Sequence, residues 1–340
     1  MRKILPLILI FCFVLSGCKA VMQNPLPPET STYTSSPSPE PTPEPTPEPT
    51  PAATPRPLTD VNLVTSSIDS SYFEVPNEKG TLETVAYETK NYTSDLSSVT
   101  KQMCIYLPYG YDESKEYNVI FLMHTMGASE RFWFSEHEYK KDDGTHQNLY
   151  IPYLIDNMIE RGNCAPVIVV SLCGYINDDA RYERNSDRDF TQFISEFKYD
   201  ILPYMESNYA VAKGRDHVGF MGASFGAYLT YRSILGPCFD VCSYFGLTGG
   251  GTVEPGWLED KWAGCNASDE RANLIYIAEG DCDDRGPVEL GYMYLAARND
   301  LFDSDNLKFT LYENTAHEFR EWDNTLFNCL QMFFREDDLS

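Results

Sequence analysis

Residues 218–226 read Val218-Gly219-Phe220-Met221-Gly222-Ala223-Ser224-Phe225-Gly226, an apolar run that ends in the pattern Gly-x-Ser-x-Gly. This pattern predicts a serine on a tight turn between a strand and a helix. A serine hydroxyl is a weak nucleophile, so it must stand exposed where a base can reach it. The turn leaves no room for side chains two positions to either side, which explains both glycines. We therefore predict that Ser224 is a nucleophile and that the following helix points its first amides at a developing oxyanion.

Apolar segments of strand length alternate with amphipathic segments along the chain. The predicted strands are Met103–Leu107, Tyr117–His124, Val167–Cys173, His217–Met221, Val241–Leu247, Leu274–Glu279 and Lys308–Tyr312. The predicted helices are Leu149–Arg161, Asp187–Asn208, Ala227–Gly236, Val288–Asp300 and Thr325–Arg335. Several strands are nearly continuous in Val, Ile and Leu, which is typical of strands buried on both faces. The alternation predicts a doubly wound, mostly parallel sheet flanked by helices, with the site at the carboxyl ends of its strands.

The candidate base is identified by chain order. The serine turn and the alternation of strands and helices together predict the α/β-hydrolase fold. In this fold the catalytic residues follow the order Ser, acid, His along the chain. The five histidines are His124, His137, His146, His217 and His317. Since His317 is the one that follows Ser224, we predict it as the general base.

The candidate acid must lie between Ser224 and His317, directly after a strand. The strand Leu274–Glu279 leads into Gly280-Asp281-Cys282-Asp283-Asp284, a turn with three aspartates. One carboxylate orients the imidazole of such a triad. We predict Asp283 for this role, with Asp281 and Asp284 as alternatives.

An oxyanion hole requires two backbone amides aimed at the developing charge. Phe225, directly after the nucleophile, is predicted to supply one of them. The second is predicted from Thr125 or Met126, in the loop after the strand that ends at His124. Hydrolases of this fold commonly have His-Gly-x-Gly there, whereas this chain has His124-Thr125-Met126-Gly127. Threonine in a glycine position is expected to narrow the loop or alter its backbone angles.

Seven motifs, in order, resemble carbohydrate esterase family one, which includes feruloyl esterases joined to xylanases, and its esterase D-like relatives. The matching segments are 106–112, 117–124, 154–159, 166–170, 200–209, 215–217 leading into the serine turn, and 316–319. The resemblance covers about residues 72–335. It implies an α/β-hydrolase fold, Ser224 as nucleophile, His317 as base and no metal or organic cofactor. The family places its acid three residues after the glycine, which favours Asp283. Ala223 and Phe225 depart from the Leu and Met frequent in the family.

The first 61 residues predict export and anchoring. Met1-Arg2-Lys3 is a basic segment, Ile4–Val14 is apolar, and Leu15-Ser16-Gly17-Cys18 follows, as in a bacterial lipoprotein signal. We predict a signal peptide over residues 1–17 and lipidation of Cys18. Residues 18–61 are rich in Pro, Thr and Glu, which predicts an extended linker. Residues 62–340 are then the single esterase domain, anchored at the outer side of the cell membrane.

The net charge of the chain limits the classes of binding partner. The formal net charge of −25 argues against nucleic acid and against electrostatic docking on anionic lipid. We therefore expect the protein to contact the membrane through the lipid anchor alone.

Besides Cys12 and Cys18, eight of the ten cysteines remain. Cys164 and Cys173 bracket a predicted strand and are too far apart to pair.

The substrate is predicted from export and from aromatic residues. Trp133, Trp257 and Trp262 lie in segments expected near the rim of the site, where they would stack on a feruloyl ring or a sugar, or else belong to the core. We expect hydrolysis of feruloyl or acetyl esters on plant cell-wall polysaccharide. The alternatives are a siderophore trilactone esterase, a peptidase, or a non-catalytic sugar-binding lipoprotein.

Overall fold

A mostly parallel sheet of eight strands forms the core of the computed structural model, which describes residues 64–140, 145–176, 186–250, 271–285 and 288–335. The strands of these residues are β1 (Thr81–Lys90), β2 (Ser98–Leu107), β3 (Val119–Met123), β4 (His137–Lys140), β5 (His146–Leu149), β6 (Ile168–Leu172), β7 (Val218–Ala223), β8 (Tyr244–Thr248), β9 (Leu274–Gly280) and β10 (Leu307–Tyr312). The sheet order is β1-β2-β6-β3-β7-β8-β9-β10, while β4 and β5 form a separate antiparallel pair. From β6 to β10 every neighbouring pair in the sheet is parallel. The predicted doubly wound sheet is therefore confirmed.

Helices cover both faces of this sheet. They are α1 (Ile151–Glu160), α2 (Ser186–Glu196), α3 (Leu202–Asn208), α4 (Phe225–Leu229), α5 (Val288–Ala296) and α6 (Phe319–Met332). Apolar residues of α1 and α6 join one core cluster, and those of α2 to α5 join the other. Among the described residues, no helix has the length and hydropathy required to cross a membrane.

Strand β3 shows why the central strands are apolar throughout. All five of its residues are buried. Val119, Phe121 and Met123 belong to one core cluster, and Ile120 and Leu122 belong to the cluster on the opposite face. Since successive side chains of a strand point to opposite faces, a strand covered on both sides needs apolar residues at every position.

Several predicted helices differ from the structure. The predicted helix Ala227–Gly236 is the short helix α4 followed by a π-helical segment, Thr230–Leu235. The predicted helix Asp187–Asn208 is α2 and α3 joined by a wide π-helical turn, Phe197–Ile201. Pro203 has no N–H to donate, which accounts for the irregular turn just before it. Helix α6 begins at Phe319, six residues before the predicted start at Thr325. Strands β1, β4 and β5 were not predicted, since their residues are mostly polar or exposed.

The cysteines of the described residues are free thiols, and most of them are buried. They are Cys104, Cys164, Cys173, Cys238, Cys242, Cys282 and Cys329. Cys164 and Cys173 do not pair, as predicted from the strand between them. Burial raises the pKa of the Cys164 thiol to about 12. Cys265 lies outside the described residues.

A buried ion pair supports the loop after β6. The Lys101 ammonium contacts the Glu196 carboxylate, and the two side chains are 6 % and 0 % exposed. Lys101 Nζ also donates to the Cys173 carbonyl oxygen at 2.8 Å. The ion pair between β2 and α2 therefore holds the chain just after the carboxyl end of β6. The carboxyl ends of the parallel strands are where the sequence predicts the site.

Replacing Lys101→Met should lower the free energy of unfolding by about 3–5 kcal/mol, because Glu196 would remain buried without its partner. Denaturant unfolding measures the change. Lys90→Met, on the exposed end of β1, is the matched control and should change stability by less than about 0.5 kcal/mol. Equal stability of the two variants would contradict the structural role of the pair.

Candidate active site

Ser224 lies on a strained turn between β7 and α4. Its φ is 56° and its ψ is −116°, a backbone conformation that residues with side chains rarely adopt. A Cβ on Gly222 would lie 2.0 Å from the Gly226 carbonyl oxygen, and one on Gly226 would lie 2.6 Å from the Met123 oxygen. The predicted need for two glycines therefore has a steric cause.

The structure brings together the three residues predicted as nucleophile, base and acid. His317 Nε2 lies 3.0 Å from Ser224 Oγ, and His317 Nδ1 lies 2.8 Å from Asp283 Oδ2. Since a carboxylate accepts, Nδ1 carries a hydrogen and Nε2 is left to accept the Ser224 hydroxyl proton. The side chain of His317 is 15 % exposed and that of Asp283 is 1 % exposed. The base thus faces the site while the acid lies behind it.

Of the three candidate acids, Asp283 is the one whose carboxylate reaches His317. Its second oxygen, Oδ1, accepts the Arg285 backbone N–H at 2.8 Å. Asp284 points to solvent, with 88 % of its side chain exposed. Backbone hydrogen bonding, first from Asn314, lowers the pKa of Asp281. Its Oδ1 accepts the Thr315 N–H at 3.2 Å, so Asp281 caps the loop that carries His317.

The loops that carry the acid and the base are joined by backbone contacts. The Asp281 N–H donates to the Tyr312 oxygen at 3.0 Å, and the Cys282 N–H donates to the Thr315 oxygen at 3.0 Å. A Cβ on Gly280 would lie 2.1 Å from the Thr315 oxygen. Glycine at position 280 therefore permits the close approach of the two loops.

The predicted oxyanion loop after β3 is a tight turn. The Ala128 N–H donates to the Thr125 oxygen at 3.2 Å, and Gly127 has a φ of 78°, as in a type II turn. The position that requires glycine is thus 127, where the chain has it. Thr125 is outside the positive-φ region, so its side chain imposes no backbone strain of that kind. Met126 is 67 % exposed, which leaves the loop open to solvent.

Two buried side chains orient this loop, and the sequence analysis did not single them out for that purpose. His124 Nε2 accepts the Gly174 N–H at 3.1 Å, so its Nδ1 donates to the Thr125 oxygen at 2.7 Å. The Gly127 N–H donates to the Tyr175 hydroxyl at 3.0 Å. The Thr125 carbonyl is therefore turned toward His124, and the Met126 N–H in the same peptide unit points away from it. A histidine directly after a strand was the available signal.

The predicted substrate contact at Trp133 is wrong, because the residue belongs to the core. It is 1 % exposed, and its Nε1 donates to the Met123 oxygen at 3.1 Å.

The neighbour of Trp133, Phe132, is partly exposed and packs on Phe319 and Trp322, with ring centroids 5.6 Å and 5.8 Å away. We call Phe132, Phe319 and Trp322 the aromatic wall. It borders the base, since the His317 and Trp322 rings are 5.3 Å apart. Trp257 and Trp262 lie outside the described residues.

A further acidic group, Glu321, lies beside the triad and was not predicted. It is fully buried, and its Oε1 accepts the Thr248 hydroxyl at 2.8 Å. Burial foremost, and the Asp283 charge as well, raise the pKa of Glu321 to about 9.

Asp283, His317 and Glu321 each have a possible metal ligand atom within 4.8 Å of the others. Both ring nitrogens of His317 are hydrogen-bonded within the triad, an arrangement suited to proton transfer. The absence of a metal or cofactor stays a prediction.

These features place the protein among the α/β-hydrolases by fold. In superposition, 79 % of this chain matches 93 % of the chain of a mutant feruloyl esterase module from Clostridium thermocellum complexed with sinapinate, with a TM-score of 0.65 and 24 % identity. Likewise, 82 % of this chain matches 99 % of the chain of a CE1 ferulic acid esterase from the anaerobic fungus Anaeromyces mucronatus, with a TM-score of 0.62 and 21 % identity.

Sequence comparisons find an esterase family model over part of the chain and two similar xylanases. Residues 99–230 match the model of a family described as putative esterase. The chain is 32 % identical over 186 residues, 52 % of its length, to endo-1,4-beta-xylanase Y of Acetivibrio thermocellus. It is 26 % identical over 238 residues, 68 % of its length, to an endo-1,4-beta-xylanase/feruloyl esterase of Xylanibacter ruminicola. The matches span 14 % and 29 % of those two proteins. The predicted resemblance to feruloyl esterases is thus confirmed.

Replacing Asp283→Asn should lower kcat about ten-thousand-fold, because an amide at this position favours the wrong histidine tautomer. Asp284→Asn is the matched control and should stay within about twofold, as expected for an exposed side chain away from the hydrogen-bonded chain. Steady-state kinetics on an aryl ester compare the two variants. Similar losses in both, or a larger loss in Asp284→Asn, would rule out Asp283 as the acid.

Proposed function

We propose that this protein is a serine esterase that hydrolyses feruloyl or acetyl esters on plant cell-wall polysaccharide such as xylan. The observation that carries the proposal is the continuous hydrogen-bonded chain from Ser224 through His317 to Asp283. It stands on a fold shared with feruloyl esterases, and Ser224 lies within residues 99–230, the segment that matches an esterase family model.

Acylation begins with attack of Ser224 Oγ on the carbonyl carbon of the ester. His317 Nε2 takes the hydroxyl proton as the bond forms, and Asp283 stabilises the resulting imidazolium. When the tetrahedral intermediate collapses, His317 gives this proton to the departing sugar oxygen. The acyl group is then bound to Ser224.

Deacylation repeats these steps with water. His317 takes a proton from the attacking water and returns it to Ser224 Oγ, which releases the carboxylic acid. In both halves the oxyanion would be bound by the Phe225 N–H and by an amide of Thr125 or Met126. Electrostatic stabilisation of this kind supplies about 2.7–4 kcal/mol per donor in related reactions.

The aromatic wall and the charge of the chain support the choice of substrate. Phe132 and Phe319 are partly exposed, and both contact Trp322, the ring that packs on His317. Such rings stack on a phenolic acyl group or on the apolar face of a sugar. A formal net charge of −25 would repel anionic substrates but not a neutral polysaccharide ester.

Methyl ferulate and acetylated xylan distinguish the two acyl groups. The purified full-length protein should release acid from at least one of them, and Ser224→Ala should lower kcat by at least about ten-thousand-fold. A fluorophosphonate probe reports the state of Ser224 independently of the substrate. Labelling without hydrolysis of either ester would indicate another hydrolase activity, such as a trilactone esterase or a peptidase. A folded protein that is not labelled at Ser224 would indicate a sugar-binding lipoprotein.

We also propose that the protein is a lipoprotein held at the outer side of the cell membrane. The support is the basic and apolar start of the chain followed by Leu15-Ser16-Gly17-Cys18. These residues, like the linker over 18–61, lie outside the described residues. An anchored enzyme on an extended linker would meet polymers too large to enter the cell.

Replacing Cys18→Ala should abolish incorporation of labelled palmitate in a bacterial host, because the acylated thiol is lost. The protein should also leave the membrane fraction, or accumulate as the uncleaved precursor. Cys12→Ala, inside the apolar segment, is the matched control and should retain the label. Equal palmitate labelling of the two variants would refute lipidation at Cys18.

A further inference from the structure

Behind the triad lies a second buried carboxyl group. Glu321 is in the first turn of α6 and has no exposed surface. Its Oε1 accepts the Thr248 hydroxyl at 2.8 Å, while the Thr248 carbonyl accepts the Ser224 N–H at 2.9 Å. One residue at the end of β8 thus contacts both the nucleophile's backbone and Glu321.

Glu321 is also close to the acid and the base. One of its oxygens, one Asp283 oxygen and a His317 ring nitrogen all lie within 4.8 Å of one another. A Cβ on Gly249, which has a φ of 64°, would lie 2.9 Å from Glu321 Oε1 and 3.2 Å from His317 Cε1. Glycine at 249 therefore leaves room for the carboxyl group and the imidazole to lie side by side.

The surroundings of Glu321 favour its neutral form. The titratable groups that face it are Asp283, the buried Glu279 on β9, and His317. Two carboxylates this close in a buried site cannot both ionise without a large cost. Glu321 therefore carries a proton at neutral pH, since burial and its acidic neighbours raise its pKa to about 9.

The proton has a defined place. Oε1 is engaged by the Thr248 hydroxyl, so the hydrogen belongs on Oε2. Oε2 is buried and has no standard hydrogen-bond partner among the described residues. One oxygen of Glu321 and one oxygen of Asp283 lie within 4.8 Å of each other, so the Asp283 carboxylate is the neighbouring acceptor for this hydrogen. That carboxylate already accepts from His317 Nδ1 and the Arg285 N–H and has lone pairs left.

We propose that Glu321, as a neutral acid, is a positioning residue that holds the Asp283 carboxylate against His317 by donating a hydrogen bond to it. The inference rests on the proposed serine hydrolase chemistry and adds a residue to the same site. When Glu321 loses its proton at alkaline pH, the hydrogen bond is lost and two negative charges face each other. Asp283 then moves from His317, and the reactivity of Ser224 falls.

The test is the second-order rate of fluorophosphonate labelling of Ser224 between about pH 6 and pH 10, in the full-length protein. Wild-type labelling should decline above about pH 9, where Glu321 ionises. Glu321→Gln keeps a neutral donor and cannot ionise, so its rate at pH 7 should stay within about threefold and show no such decline. Glu321→Ala lacks the donor and should label at least about tenfold more slowly, with kcat for p-nitrophenyl acetate lowered more than KM is changed.

The matched control is Asp323→Asn, two residues further along α6. Asp323 is also buried, but it faces His137 at 3.5 Å rather than the triad. Its labelling profile should overlay that of the wild type. A decline in Glu321→Gln at the same pH as in the wild type would overturn the proposal. So would a Glu321→Ala variant that is folded and labels as fast as the wild type.

A stability measurement checks the charge state separately. The folded-state pKa of Glu321 lies above the unfolded value, so the unfolded chain releases this proton first. Wild-type stability should therefore fall relative to Glu321→Gln as the pH rises from about 4.3 to about 9. Equal melting temperatures across this range would show that Glu321 is ionised when folded, which overturns the proposal. Because the probe needs no particular ester, labelled protein that hydrolyses neither methyl ferulate nor acetylated xylan would refute the proposed substrate and leave this inference standing.

Discussion

The turn at Ser224 brings backbone carbonyl groups into the space that side chains at positions 222 and 226 would fill. The turn is therefore possible only with glycine at both positions. The Gly226 oxygen lies where a Cβ on Gly222 would be, and the Met123 oxygen lies where one on Gly226 would be. The strained conformation of Ser224 is offset by hydrogen bonds on both sides of its peptide units, to Thr248 and from Ala227. The nucleophile is therefore held by three neighbouring strands of the sheet, and its position follows from their register.

The central strands could be predicted because burial on both faces demands apolar residues at every position, as in β3. Strand β1 could not, since it lies at the edge of the sheet and eight of its ten residues are not buried. Its Thr and Glu residues resemble those of a surface loop. Helix α6 begins earlier than predicted for a related reason. Its first five residues include Glu321 and Asp323, which are polar in sequence but buried in the fold.

The same limit applies to the site. Chain order was sufficient to select His317, because one histidine follows the serine turn. Local sequence did not distinguish Asp283 from Asp281 and Asp284, since the deciding contact joins residues 34 positions apart. Nor did it separate Phe132 from Trp133, since these adjacent residues are both aromatic. Phe132 is part of the aromatic wall, whereas Trp133 belongs to the core. Glu321 carried no motif at all, and its environment exists only after folding.

The backbone contacts between the acid and base loops determine which parts of the triad move together. Gly280 against Thr315, with the hydrogen bonds from Asp281 and Cys282, ties the loop that carries Asp283 to the loop that carries His317. Ser224 lies on a different segment, the turn between β7 and α4, and meets these loops through its hydrogen bond with His317. A displacement of the His317 loop would carry the Asp283 loop with it. Of the two hydrogen bonds in the triad, such a displacement would therefore lengthen the one between Ser224 and His317 first.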